Sequence, residues 1–141
     1  MTFWDTSALV PLIVEEPATQ AMRDLVSRDG EVVIWMLTSV ELLSTLGRLG
    51  RMADELEDVL PTARAEVMDL CRHCTTVTHV VEVRRRAERL VSVHPLSAAD
   101  AMQLAAALLV SGDRPDTLDF VTLDRSLARS ARLEGFRVTS G

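Results

Sequence analysis

The sequence of 141 residues lacks lysine: all 15 basic residues are arginine, so reaction mechanisms that depend on a lysine are excluded. Aromatic residues make up only 4% of the chain. They offer no evident platform on which nucleic acid bases would stack, so base specificity cannot be inferred. No apolar run approaches the about 20 residues that a membrane-spanning helix needs. We therefore expect no contact with a membrane, and the apolar run at residues 101–110 predicts a buried helix.

Cysteine and histidine are also scarce. The two cysteines, Cys71 and Cys74, have C-x-x-C spacing, but no second pair completes a zinc site and no histidine follows for haem attachment. They fall near the end of a helical pattern, whereas reactive pairs lie at helix N-termini, so we expect two cysteines packed against a helix. The three histidines (His73, His79 and His94) show neither ligand spacing nor a partner acid, and no role is assigned to them.

The start of the chain and its net charge bear on the location of the protein and on its binding to nucleic acid. A strand-like segment begins directly after the first residue, which leaves no room for a signal peptide, so we expect a cytoplasmic protein. The formal net charge is −6, from 21 acidic and 15 basic residues. This balance is unusual for a protein that binds nucleic acid.

Short β-branched runs alternate with longer helical patterns along the chain, without internal repeats. We predict strands at 2–4, 31–35, 75–80, 120–123 and 136–139. We predict helices at 7–13, 17–29, 40–49, 56–74 (with a kink or break at Pro61), 81–91, 97–110 and 126–133. This alternation is typical of a mainly parallel sheet of about four to five strands, covered by helices on both faces, in one domain over residues 1–141. Ligands of such sheets bind beyond the carboxyl ends of the strands, where the strand order reverses.

Acidic residues occupy turns of the kind that gather at that edge. They are Asp5, Glu41, Asp100 and Asp124. Each has a simple explanation when taken alone. Asp5 and Asp124 each follow a strand and precede a helix, so both are suitable helix N-caps.

The other two acids have the spacing of a capping box. In this motif a serine or threonine begins the helix, and an acid three residues later bonds back to it. Thr38 with Glu41, and Ser97 with Asp100, both fit the pattern. The sequence therefore predicts caps at these positions. The capping would set the direction of the two helices, even if the acids also bound a ligand.

Taken together, the four acids favour a metal site. No basic residue lies near the first three in sequence to neutralise them. Carboxylates that converge without cationic partners raise one another's pKa, and a divalent cation resolves that conflict. Hard oxygen ligands in this number suit Mg²⁺ or Mn²⁺. The helix N-termini favour the ionised form of each acid, so capping and metal binding are compatible.

The four acids lie in segments that resemble PIN-domain ribonucleases, and in particular the VapC-type toxins of bacterial toxin–antitoxin pairs. The matching segments are DTSAL (5–9), SVELL (39–43), LSAADAMQLAAAL (96–108) and VTLDRSLARSA (121–131). The resemblance implies a three-layer α/β/α sandwich around a parallel sheet. It also implies a metal-dependent endonuclease acting on RNA, usually a homodimer held inactive by a small cognate antitoxin.

The resemblance assigns roles to individual positions. Asp5, Glu41 and Asp100 match the family's first three acids, and Asp124 matches the acid of its T-x-D signature. Asp119 is a second candidate for that fourth place. We favour Asp124, because Asp119 precedes the strand and should face its amino end.

We expect hydrolysis by in-line attack of a metal-activated water on an RNA phosphodiester. Asp5 and Asp100 would be the core ligands, and Glu41 and Asp124 would bind the ion directly or through water. The hydroxyls of Thr6 and Thr122 would orient a water or a carboxylate.

Arginines on one predicted helical face, directly after the fourth acid, are candidate phosphate contacts: Arg125, Arg129 and Arg132. A denser cluster, Arg84, Arg85, Arg86 and Arg89, cannot be placed relative to the site. Setting four site acids aside changes the formal charge from −6 to −2. A site that holds a metal ion therefore repels phosphate less than the net charge of the chain suggests.

Other function classes remain open at this point. A catalytically silent PIN-like module would keep the acids and act only through a partner. A signalling receiver domain also has an aspartate at a strand end, but its chemistry relies on a lysine. A haloacid-dehalogenase-type phosphatase would need a second aspartate two residues after Asp5, and that position holds Ser7. A structure-specific DNA nuclease is disfavoured by the small size of the chain.

Overall fold

The structure is a computed structural model that describes residues 1–52 and 60–140. Five strands form one sheet: β1 (Thr2–Trp4), β2 (Val32–Trp35), β3 (Thr75–Val77), β4 (Asp119–Val121) and β5 (Arg137–Thr139). The helices of the described residues are α1 (Thr6–Ile13), α2 (Thr19–Arg28), α3 (Thr38–Met52), α4 (Leu60–Arg72), α5 (Val80–Val93), α6 (Ala98–Val110) and α7 (Arg125–Glu134), with a short 3₁₀ turn at Pro115–Thr117.

The strand order in the sheet is β3-β2-β1-β4-β5, and every pairing is parallel. The chain builds outward from β1 to β3 on one side and then returns to place β4 on the other side of β1. The direction of winding therefore reverses between β1 and β4. A crevice opens at the carboxyl ends of strands at such a reversal.

The three central strands, β2, β1 and β4, contribute to two separate cores, because successive side chains point to opposite faces of a sheet. Phe3 and Phe120 belong to one cluster with buried residues of α5, α6 and α7. The next residues in the same strands, Trp4 and Val121, belong to a second cluster with residues of α1, α2, α3 and α4. The sheet is thus the middle layer of an α/β/α arrangement, and the predicted fold class is confirmed.

Several predicted boundaries differ from the structure. Strand β3 ends at Val77 rather than at residue 80, because His79 already precedes α5 and its carbonyl accepts from the Val83 amide. Strand β4 starts at Asp119, one residue before the predicted start. Pro61 lies near the start of α4, which is described from Leu60 onward. Residues 56–59 of the predicted helix lie outside the described residues.

The cysteines pack at the end of α4, as predicted. Cys71 and Cys74 are partly buried against the second core cluster, and neither is in a disulfide. Burial, together with the neighbouring Cys71, raises the pKa of Cys74 to about 11. A thiol with such a pKa is a poor nucleophile at neutral pH. Within the described parts of the chain, no helix is both long and apolar enough to span a membrane.

Candidate active site

The crevice between β1 and β4 contains Asp5, the residue that follows β1. Its backbone amide donates to the carbonyl of Val121 in β4 at 3.0 Å, so the two strand ends are held together. Its side chain caps α1 by accepting from the Ser7 amide at 3.2 Å, which confirms the predicted N-cap. Capping fixes the carboxylate at the reversal point of the sheet.

Two hydroxyl groups also hold the Asp5 carboxylate. Its Oδ2 accepts from Ser7 Oγ at 2.6 Å and from Thr122 Oγ1 at 2.9 Å. All these donors meet Oδ2, and no partner of Oδ1 is found in the described portion of the chain. Asp5 is only 3% exposed, and burial raises its pKa, while the Ser7 and Thr122 bonds oppose that rise. A carboxylate so placed is oriented by the protein and keeps one oxygen for a ligand.

The turn after β4 connects the Asp5 group to Asp124. Thr122 Oγ1 accepts from the Asp124 amide at 3.1 Å, and Ser7 Oγ accepts from the Leu123 amide at 2.9 Å. The Asp124 side chain caps α7 by accepting from the Leu127 amide at 2.9 Å. The N-cap predicted at Asp124 is therefore confirmed. Thr122 orients a carboxylate, one of the two uses expected of its hydroxyl.

Glu41 is held by side chains from two other helices. Its Oε2 accepts from Thr6 Oγ1 at 2.5 Å and from Gln103 Nε2 at 3.0 Å. The predicted capping box of Thr38 and Glu41 is wrong. The Glu41 amide bonds to the Leu37 carbonyl, so α3 begins earlier than a cap at Thr38 would require, and the Glu41 carboxylate turns across the cavity.

Asp100 lies in the first turn of α6, where Ser97 Oγ accepts from its amide at 3.1 Å and so caps the helix as predicted. Burial and the nearby charges of Asp5 and Asp124 raise the pKa of Asp100 to about 6. The charges of Asp5 and Asp124 thus reach Asp100 across the cavity. Carboxylates in this state favour either a shared proton or a cation.

The four acids line one open cavity of about 440 Å³, together with Thr6, Ser7, Val10, Glu16, Thr45, Arg48 and Leu123. Sequence reasoning missed Glu16, Arg48, Ser7 and Gln103. Arg48 follows Glu41 by seven residues, a spacing that returns to the same face of a helix and could have indicated it. Gln103 follows Asp100 by three residues, but a glutamine in an apolar run carries no such signal.

The donor set of this cavity fits a hard divalent cation. Every acid offers oxygen, Asp5 keeps Oδ1 unused, and the raised pKa of Asp100 reflects burial and the negative charges of Asp5 and Asp124. Over residues 1–52 and 60–140, however, no group of three or more acidic, histidine or cysteine side chains is arranged to hold an ion by itself. Mg²⁺ commonly keeps several waters and uses one or two carboxylates with substrate phosphates. The open cavity suits that mode of binding.

Asp119, the alternative fourth acid, is the first residue of β4 and therefore lies at the opposite end of that strand from Thr122. Its carboxylate accepts from Arg137 Nε at 2.6 Å. Asp119 is not among the residues that line the acidic cavity, whereas Asp124 is. The structure thus brings Asp124 to the site and leaves Asp119 away from it.

The two arginine groups differ in their partners. In α5, Arg84 pairs with Glu88, Arg86 with Asp113, and Arg89 with Glu134. In contrast, Arg125, Arg129 and Arg132 of α7 are exposed, and none pairs with an acid in the part of the chain that is described. Arg125 and Arg129 line a second cavity of about 570 Å³, bounded on its other side by Val93, His94 and Pro95.

His94 does have a partner acid, contrary to the sequence-based expectation. Its Nε2 lies 2.7 Å from Glu134 Oε1, and Arg89 approaches both oxygens of the same carboxylate. The bonds from Arg89 and His94 lower the pKa of Glu134. Because the partner is 40 residues away in sequence, spacing could not have revealed the pair. The group joins the end of α5 to the end of α7.

Comparison with solved structures identifies proteins of similar fold. A toxin–antitoxin complex from Klebsiella pneumoniae aligns with a TM-score of 0.66 and 16% identity over 91% of this chain and 91% of that one. PAE2754 from Pyrobaculum aerophilum aligns with a TM-score of 0.62 and 21% identity over 92% and 83%. FitAcB from Neisseria gonorrhoeae gives 0.62 and 18% over 98% and 96%. No curated protein sequence matches the chain.

The sequence itself matches the family model of the PIN domain over residues 2–133, a span that contains every acid of the cavity. PIN domains are generally nucleases, so the acidic cavity has the place and composition expected of a nuclease site. The family match favours a PIN domain over the receiver-domain and phosphatase alternatives. The chain belongs to the PIN domain family.

Proposed function

We propose that this protein is a Mg²⁺- or Mn²⁺-dependent endoribonuclease and the toxin component of a toxin–antitoxin module, acting as a single PIN domain. The observation that carries the proposal is the gathering of four acids from four separate turns around one cavity at the reversal point of a parallel sheet. Membership of a family of nucleases supports the reaction class.

In the proposed mechanism, Asp5 and Asp100 would hold the ion, and Glu41 and Asp124 would bind it directly or through water. A divalent cation in such a site lowers the pKa of an attacking water and stabilises charge on the phosphoryl group. Ser7 and Thr122 keep the Asp5 carboxylate fixed, and Thr6 does the same for Glu41. Fixed acids of this kind avoid reorganisation when the phosphate charge develops.

RNA would reach the cavity along α7. Arg125 directly follows Asp124 of the acidic cavity, and Arg125 and Arg129 have no acid partner among the described residues, unlike Arg84, Arg86 and Arg89 of α5. An unpaired guanidinium contributes more binding free energy to a phosphate contact than a paired one, because the paired one must first break its bond to a carboxylate. We therefore retain Arg125, Arg129 and Arg132 as phosphate contacts, and we assign no contact to the α5 cluster.

The proposed partners follow from the toxin role. One solved structure of similar fold is a toxin–antitoxin complex, which supports a small cognate antitoxin as the partner of this chain. We further propose a homodimer in the cytoplasm. Size-exclusion chromatography with light scattering, on the chain alone and with a candidate antitoxin, would measure both associations.

The function is tested by incubating purified protein with structured RNA and Mg²⁺ and sequencing the new RNA ends. Asp5→Asn and Asp100→Asn should each abolish cleavage, because each removes a charged ligand of the ion. Asp24→Asn is the matched control: Asp24 is an exposed acid of α2 whose carboxylate accepts from Gln20 and does not line the acidic cavity. Full activity of both site variants would contradict the assignment.

The remaining candidate is a catalytically silent PIN-like module that acts through its partner. The observation that favours it is that the acids are not arranged to hold an ion by themselves in the described residues. Cleavage by wild-type protein that depends on Mg²⁺ and disappears in Asp5→Asn excludes this alternative. Tight antitoxin binding without cleavage of any RNA would favour it.

A further inference from the structure

Gln103 is buried, and it bonds to side chains from two other helices, including Thr6 and Glu41 of the acidic cavity. It lies in α6, three residues after Asp100, and is 0% exposed. Its Nε2 lies 2.9 Å from Thr6 Oγ1, 3.1 Å from Thr38 Oγ1 and 3.0 Å from Glu41 Oε2. One amide group therefore connects α6 to α1 and α3.

The orientation of this amide is fixed by charge. Nε2 faces Glu41, and rotating the group by half a turn would place the amide oxygen against the Glu41 carboxylate. Oε1 is consequently buried, and no partner for it is found in the described residues. An unpaired buried acceptor normally destabilises a fold. An apolar residue of the same shape would avoid that penalty, so the core alone gives no reason for a glutamine here.

We propose that Gln103 is a positioning residue that holds Glu41 ready for the metal ion, an inference that rests on the proposed function. Gln103 and Thr6 both bond to Oε2 of Glu41, and Oε1 of the carboxylate has no bond among the described contacts. Glu41 thus keeps one oxygen for the ion while the other is fixed. A glutamate that is free to rotate would lose conformational entropy when it binds an ion. Because the bonds from Gln103 and Thr6 already fix Glu41, this entropy cost does not oppose binding of the ion.

Gln103 also links two ligands of the proposed site. Asp100 and Gln103 are three residues apart on α6 and therefore lie on the same side of the helix. The helix that supplies one carboxylate thus also supplies the donor that fixes another. Outer groups that orient metal ligands typically change metal affinity by about 10- to 100-fold when they are replaced.

The composition of the chain makes this amide directly observable. The sequence contains two glutamines, Gln20 and Gln103, and no asparagine. A ¹⁵N–¹H spectrum should therefore show two side-chain amide pairs, and the pair that is lost in Gln20→Met belongs to Gln20. Titration of wild-type protein with Mg²⁺ should shift the Gln103 pair saturably. The exposed Gln20 pair should not move, because Gln20 contacts Asp24 rather than the cavity.

A set of variants tests the consequence for binding. Gln103→Met keeps the length of the side chain and removes the donor, and Mn²⁺ affinity measured by calorimetry should fall about 10-fold or more. Gln20→Met makes the same chemical change on the surface, away from the cavity. This control should bind Mn²⁺ like wild type.

The outcomes separate this proposal from the proposed function. If the Gln103 amide pair stays fixed while other site signals move with Mg²⁺, or if folded Gln103→Met binds Mn²⁺ as tightly as wild type, Gln103 has no positioning role. If Gln103→Met does not fold, the titration of the wild-type amide decides alone. A wild-type protein that binds neither ion would overturn the proposed function, and the role of Gln103 with it.

Discussion

Asp100→Asn should stabilise the metal-free protein and at the same time remove its response to Mg²⁺. Asp100 is close enough to Asp5 and Asp124 for their charges to act on it, and it is half-buried. Asparagine has a similar shape and no charge. The substitution therefore removes repulsion from the empty site, and it also removes a ligand from the loaded one.

The size of the effect follows from the pKa. The pKa of Asp100 rises from 3.8 to about 6, and one pKa unit corresponds to about 1.4 kcal/mol. A fully buried acid with that shift would destabilise the fold by about 3 kcal/mol when ionised. Solvent screens a half-buried acid, so about 1 kcal/mol is the expected gain. For a chain of this size that gain is a rise in melting temperature of about 3 °C.

The sign depends on pH. Because the folded-state pKa is above the unfolded-state value, the folded protein holds its proton more tightly. The wild-type protein therefore loses stability as pH rises from about 4 to 6. Asp100→Asn lacks this loss. The difference between the two proteins should be absent at low pH and complete at neutral pH.

The assay is thermal unfolding followed by circular dichroism at neutral pH, with EDTA or with Mg²⁺, and with Asp24→Asn as the control. Ligand at 100 times its Kd stabilises the folded state by about 2.7 kcal/mol, which exceeds the electrostatic gain of the variant. The order of melting temperatures should therefore reverse when Mg²⁺ is added. A variant that is less stable than wild type in EDTA refutes the electrostatic reasoning, and an equal response to Mg²⁺ refutes the ligand role of Asp100.

Further predictions concern pH, salt and the second ionic group. Mn²⁺ affinity should rise between pH 5 and 7, because the ion must displace the proton that Asp100 holds with a pKa of about 6. Calorimetry at a series of pH values measures this affinity, and an affinity that does not change with pH contradicts the prediction. Replacing Arg125 and Arg129 together by alanine should reduce the slope of log affinity for single-stranded RNA against log salt concentration by about 1.4, since each phosphate contact contributes about 0.7. An unchanged slope would show that neither arginine contacts the RNA phosphates. Glu134→Gln should lower the melting temperature at neutral pH, where the ionised acid holds Arg89 and His94, and the difference should vanish as pH falls through the lowered pKa of Glu134. A pH-independent difference would indicate a packing effect instead.

Much of the site could be predicted because its residues have local signals. Asp5 and Asp124 each stand between a strand and a helix, and parallel topology brings such turns to one edge of the sheet. The acids could therefore be grouped before their contacts were known. The caps at Asp5, Ser97 and Asp124 were predictable for the same reason, since a cap depends on a few neighbouring residues.

What could not be predicted depends on contacts between distant segments. The spacing of Thr38 and Glu41 is identical whether the acid caps its own helix or bonds to Gln103, which is 62 residues away from Glu41. The arginines of α5 and α7 look alike in sequence, and only the fold shows that Arg86 is paired with Asp113, 27 residues away. Charge pairing of this kind follows from which helices become neighbours, and a single sequence carries no local signal for it.

The bond between Thr122 and Asp5 joins residues that are 117 positions apart. The central strand is thus made early, and its second neighbour in the sheet, β4, is made late. A chain emerging from a ribosome cannot assemble the cavity until residue 124 has been synthesised, because Asp124 and the support of Asp5 are both missing before then. The proposed site is therefore incomplete until the segment that contains Thr122 and Asp124 has been made.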